Sequence, residues 1–80
     1  MHLKIVVSGQ GINMVAARHR TIRALIKETL YSSGNDRGAL EDWELRTVDG
    51  RLIEQGILLR DAKVAHGDTL YLSPRAGCHG

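Results

Sequence analysis

The chain has 80 residues, 42% of them apolar, with 11 basic and 9 acidic side chains and a formal charge of +2. That length supports one domain with one modest core and no deep cleft between subdomains, which argues against an enzyme, and charges scattered without a long block of one sign exclude a nucleic-acid tail. No apolar run approaches the roughly 18 residues of a membrane span, the opening MHLKIVVSG lacks the charged region and cleavage site of a signal peptide, and the one cysteine, Cys78, excludes an internal disulfide framework, so a soluble, reducing, cytoplasmic setting is expected.

In the first segment Leu3, Ile5 and Val7 share one face and His2, Lys4, Val6 and Ser8 the other, the period of a half-buried strand. SGQG breaks it. Gly9 and Gly11 are expected to supply the positive φ values of a tight reversal, and INMVAAR resumes an extended run, so residues 3–17 are predicted to form a β-hairpin. From RTIRALIKETLYSSG the period becomes helical, with Ile22, Leu25, Ile26 and Leu30 on one stripe. Thr21 stands at the N-cap and Gly34 at the left-handed C-terminal position, and about 12 residues give roughly 18 Å of helix, suited to crossing a small sheet.

After the polar loop NDRGALED, the segments WELRTV and RLIEQG flank Asp49-Gly50, a strong hairpin signal. ILLRDAKVA is an apolar connection with room for a short helical turn, HGD reverses the chain into TLYLS, and Pro74, which has no N–H to donate, ends that strand. One helix packed on one mixed sheet accommodates this order. With the first and last strands side by side in the middle, Leu3, Ile5, Val7, Leu70 and Leu72 meet the helical stripe, which is an α+β, β-grasp arrangement. Trp43 heads its strand on the side of Leu45 and is expected to lid the core. The short second strand leaves an edge open to self-association.

The chain therefore resembles a ubiquitin-like protein over nearly all of its length. More narrowly, EDWELRTVDGRLI, HGDTLYLS and the glycine end resemble the small ubiquitin-like modifiers of bacterial ubiquitination-like (Bub) operons, and GDTLYLSPRAG is similar to the closing strand and tail of bacterial sulfur carriers. The resemblance implies residues 1–73 as the domain and 74–80 as a flexible conjugation tail. It implies an E1-like adenylating enzyme acting on the Gly80 carboxylate, an E2-like conjugating enzyme, and a deconjugating or processing peptidase as partners. A residue without a Cβ suits a carboxylate that must thread a narrow channel and then be attacked. Arg75 matches the place where such proteins carry an arginine read by the activating enzyme, and its fork suits a bidentate carboxylate contact. Gly77, Cys78 and His79 complete the expected recognition sequence; CHG in place of the family's Gly-Gly implies a dedicated activating partner. A sulfur carrier ending in a thiocarboxylate, or a β-grasp interaction domain with an inert tail, are the alternatives.

On the exposed sheet face, the positions matching ubiquitin's apolar recognition patch hold Arg46 and Ser73, so readers built for an apolar patch would have to desolvate a charge there. The cations Arg18, His19, Arg20, Arg23 and Lys27 near the helix start are expected to form a solvated face, since a nucleic-acid surface needs a broader basic patch with stacking aromatics. Cys78 and His79 with His2 or His66 have no paired-ligand motif, so no metal is expected. Nor do Gly9 and Gly11 precede a helix as a phosphate loop requires, and no cofactor is expected.

Overall fold

In the computed structural model residues 1–35 and 38–75 are described. Strand β1 (His2–Val7) turns at Ser8-Gly9 into antiparallel β2 (Gln10–Val15), with Val7 opposite Gln10. The two left-handed residues of this tight turn are Ser8 (φ 52°) and Gly9 (φ 76°). This corrects the expectation for Gly11, which lies within β2 opposite Val6; a two-residue hairpin that matches strand twist places both positive φ values between the strands and none beyond them. Pairing persists one step past β2, where Met1 and Ala16 exchange backbone hydrogen bonds, the Ala16 N–H donating to Met1 O at 2.9 Å and the Met1 amine to Ala16 O at 3.1 Å.

Helix α1 (Ile22–Ser32) starts and stops where its capping residues dictate. The Thr21 Oγ1 accepts from the Ala24 N–H at 3.2 Å, filling one of the donors a helix start leaves open. At the other end Gly34 is left-handed (φ 77°), the Asn35 N–H donates to Leu30 O at 2.8 Å and the Gly34 N–H to Tyr31 O at 3.3 Å. That is the paired closure only a residue free of Cβ crowding makes cheaply. The stripe Ile22, Leu25, Ile26 and Leu30 is buried, and so is Thr29, whose hydroxyl donates to Leu25 O at 2.8 Å.

A 3₁₀ turn (Leu40–Asp42) leads into β3 (Trp43–Thr47), and β4 (Leu52–Ile53) returns beside it with Leu45 opposite Ile53. Val48, expected in the strand, is a turn residue: the Gly50 N–H donates to Thr47 O at 3.0 Å with Gly50 left-handed (φ 89°), and Thr47 N–H reaches Arg51 O at 2.9 Å. The extra residue makes a bulge at the glycine, a common three-residue solution. The Thr47 hydroxyl donates to Asp49 and accepts from the Arg51 N–H at 3.0 Å. The hydroxyl, then Asp49's own amide, and more weakly Arg51, hold the Asp49 carboxyl below its ordinary value. A depressed carboxyl contributes stability that is complete above its unfolded pKa and is lost as pH falls through the folded one. Urea midpoints should therefore decline less between about pH 5 and about pH 2 in Asp49→Asn than in the parent chain; equal declines would show that the turn gains nothing from the charge.

A second 3₁₀ turn (Leu59–Asp61) buries Leu59 and Ala62, and β5 (Thr69–Pro74) completes the sheet. Strand order is β2-β1-β5-β3-β4, with β1 and β5 parallel and the other pairs antiparallel. Alternation places Leu3, Ile5, Val7, Met14, Leu45, Ile53, Leu70 and Leu72 on one face, buried with the α1 stripe into a wholly aliphatic core. Trp43 is half-buried against its margin, as expected of a lid.

Candidate functional site

The antiparallel register of β3 and β5 decides where the end of β5 goes. Trp43 stands opposite Pro74, so Asp42 stands opposite Arg75. Proline cannot donate, and the next amide takes over: the Arg75 N–H donates to Asp42 O at 2.7 Å. Pairing along β5 thus continues through Pro74 to Arg75, whose residue remains exposed. Gly77, Cys78, His79 and Gly80 lie outside the described residues.

The turn that receives Arg75 is braced from behind by Gln55. Its Nε2 donates to Leu40 O and to Trp43 O, both at 2.9 Å, so the two carbonyls flanking Glu41 and Asp42 are fixed by one side chain. The same residue accepts twice from Arg23, at Oε1 from Nη1 (3.3 Å) and at its backbone O from the amide (2.9 Å), coupling the turn to the first residues of α1. Arg23 also pairs with Glu41, whose carboxyl is held below its ordinary value first by the hydrogen bond and charge of Arg23 and, more weakly, by the charge of Arg75. The sequence offered no clear sign of Gln55: a lone glutamine after an apolar pair reads as surface, and only the return of β4 past the 3₁₀ turn brings its amide between the Leu40 and Trp43 carbonyls.

On the open face of the sheet Arg46 lies opposite Tyr71, and Ser73 opposite Glu44. The Arg46 Nε donates to Glu44 Oε2 at 2.6 Å and its Nη1 to Gly50 O at 2.8 Å. Arg46 is therefore held as an ion pair against the β3–β4 turn, with Tyr71 (43% exposed) and Leu52 (47%) on the same face. Period-two alternation in TLYLS already assigns Tyr71 to that side, because Leu70 and Leu72 take the core.

Of the five cations near the helix start, Arg20 pairs with Glu28 at 2.8 Å and Arg23 with Glu41. Exposed pairs of this kind are weak and screened by salt, and they leave a partly neutralised, solvated surface. His2 and His66 meet edge to face with ring centres 5.0 Å apart, and the His2 amide donates to His66 Nδ1 at 3.1 Å. Among the described residues no three His, Cys, Asp or Glu side chains gather as a metal site requires, and no helix is long and apolar enough to cross a membrane.

A five-stranded mixed sheet with its first and last strands paired in parallel at the centre, crossed by one helix and ending in an exposed arginine, defines a ubiquitin-like β-grasp protein. The chain belongs to the family DUF2604, described as proteins of unknown function, whose model matches residues 1–80. No curated protein matches it in sequence. Among solved structures it is similar to the ubiquitin of Caldiarchaeum subterraneum, with a TM-score of 0.76 and 22% identity over 99% of this chain and 98% of that one. It is also similar to a de novo protein designed from ubiquitin, with a TM-score of 0.79 and 25% identity over 100% of this chain and 94% of that one.

Proposed function

We infer that the chain is a protein modifier, activated at the Gly80 carboxylate in its mature form and joined through that carbonyl to a target. The observation that carries this reading is the root at Arg75. β5 leaves the sheet from a point held by the Asp42 carbonyl and braced by Gln55, and the five residues that follow have a contour of at most about 18 Å. A fixed body with a short reach delivers a terminal acyl group to a defined place on an activating enzyme.

In the proposed chemistry a terminal carboxylate oxygen attacks the α-phosphorus of ATP and releases pyrophosphate. A thiol of the E1-like enzyme then displaces AMP from the acyl adenylate, and an E2-like enzyme carries the thioester to an acceptor nucleophile. The folded domain does none of these steps. It supplies binding surface, and the exposed Arg75 side chain, next to Glu41 but not buried, is the cation offered to an acidic recognition site. The similarity to an archaeal ubiquitin supports the reading through the fold, and the tail's resemblance to Bub-operon modifiers supports it through Gly80.

The test uses the full chain, tagged at its first residue and expressed in the native host, with adducts read by mass spectrometry after denaturation. The intact chain should appear joined to other proteins through the Gly80 carbonyl, and removal of Gly80 should abolish every adduct without moving the melting temperature. Adducts that persist in the truncated chain would refute the proposal. So would a chain that never forms them and instead carries sulfur in place of oxygen at its terminal carboxylate.

A further inference from the structure

Beside α1 a groove runs between the helix and the segment that enters the 3₁₀ turn at Leu40–Asp42. Arg20, Arg23, Lys27 and Tyr31 line it from the helix side, and Gly38 and Leu40 from the turn side. Its floor is apolar, made by Ala24, Leu30 and Leu40. Three cations line it against a single carboxylate, Glu28. Arg23, Lys27 and Tyr31 stand four residues apart on one face of α1, and like charges at that spacing repel and oppose the helix that carries them. The acids at hand do not relieve this. Glu28 pairs with Arg20 and Glu41 with Arg23, and Lys27 has no ion-pair partner among the described residues.

We propose that this groove is a docking site for an acidic segment of a protein partner, one that lays aliphatic side chains on the floor and sets carboxylates against Lys27 and the two arginines. Charge complementarity selects the occupant: three cations facing one acid call for an anion, and guanidinium forks match carboxylates bidentately. Arg20 and Arg23 already hold carboxylates of their own chain in exposed pairs, which are weak, so exchanging them for a partner's carboxylates costs little. Tyr31, 76% exposed at the far end of the stripe, is the kind of amphipathic aromatic that anchors protein contacts. A nucleic acid would need several aromatics along a basic path on which successive bases stack, and Tyr31 is the one aromatic among the residues lining this groove. Leu40 belongs to the same turn as Asp42, whose carbonyl holds Arg75, so a docked partner would sit next to the root of the tail. The docking does not rest on the modifier reading, because it needs only the folded domain.

The test is an amide NMR titration of the full chain, at physiological salt, with a capped octapeptide alternating glutamate and leucine. The peptide should bind with a Kd below about 1 mM and shift amides along α1 and at Gly38 and Leu40. Lys27→Glu should weaken binding roughly tenfold or more. It should not lower the melting temperature, since it removes the repulsion with Arg23, so the loss cannot come from unfolding. Glu28→Gln, which frees Arg20 and takes the one acid out of the groove, should tighten binding. The proposal is overturned by a peptide that fails to bind up to about 1 mM, or by shifts confined to the open face of the sheet. Equal binding by Lys27→Glu, a Glu28→Gln chain that binds no more tightly, or equal binding of a peptide with lysine in place of glutamate defeats it too. Tighter binding of oligothymidylate than of the peptide would assign the groove to nucleic acid and sink the proposal as well.

Discussion

Replacing Leu45 with alanine should cost about 3 kcal/mol, within the roughly 2–5 kcal/mol seen for buried leucines. Leu45 is fully buried, faces Leu72 across β3–β5 and Ile53 across β3–β4, and stands where the edge strand, the centre of the sheet and α1 converge. Its neighbours are held by strand pairing on both sides and cannot collapse into the void, so the cavity term is retained. A chain of 80 residues has a total stability of only about 4–12 kcal/mol. The loss should lower the melting temperature by roughly 10–20 °C. Leu52→Ala is the control one step along β4: its side chain is on the open face, and it should cost less than about 1 kcal/mol. A Leu45→Ala chain melting within a few degrees of the parent would mean that the sheet does not close over its helix as described.

That contrast between Leu45 and Leu52 was already visible as an alternation in WELR and RLI, and the same logic placed Leu70 and Leu72 inside and Tyr71 outside. Period two and period 3.6 depend on local geometry alone, and in this chain neither is interrupted within an element, so the element order, the caps at Thr21 and Gly34, and the pairing of the first strand with the last were legible. What local pattern could not give was the form of the turns. Ser8 adopts a left-handed conformation that its residue type disfavours because the twist of β1 and β2 requires it, and Val48 leaves its strand because Gly50 takes the bulge. The isolated charge expected at Arg46 was likewise incomplete. Glu44, two residues earlier on the same face, was there in the sequence, but only the curl of the β3–β4 turn brings the Gly50 carbonyl under the guanidinium and turns a repelling charge into a held ion pair. The root of the tail depended on a contact from Asp42 to Arg75, more than thirty residues apart, and no periodicity carries that information.

Gln55→Glu is expected to destabilise the chain by roughly 2–4 kcal/mol, far more than a one-atom change on a half-buried polar residue ordinarily costs. The amide nitrogen that donates to Leu40 O and Trp43 O becomes an oxygen that can donate to neither, so Trp43 O loses the bond from Gln55, Leu40 O keeps only the Trp43 N–H, and both face a negative charge. Arg23 remains within reach of the carboxylate and offsets part of the repulsion, but a guanidinium on that side cannot replace donors on the other. The loss should be local before it is global. The 3₁₀ turn at Leu40–Asp42 would loosen, and with it the carbonyl that holds Arg75. Amide hydrogen exchange separates the two effects: in Gln55→Glu the Arg75 amide should exchange faster by more than the global loss of stability accounts for, while the amides of β1 should slow or quicken only with the global change. Arg23→Met, which removes the side-chain bond to Gln55 and the pair with the exposed Glu41 but spares both Gln55 donors and the backbone link from the residue-23 amide, should cost far less than Gln55→Glu and leave Arg75 protected. If the glutamate variant is as stable as the parent, or if Arg75 is no more labile in it than the centre of the sheet, then Arg75 is not anchored through Gln55, and the contact that fixes it must be sought in β5 itself.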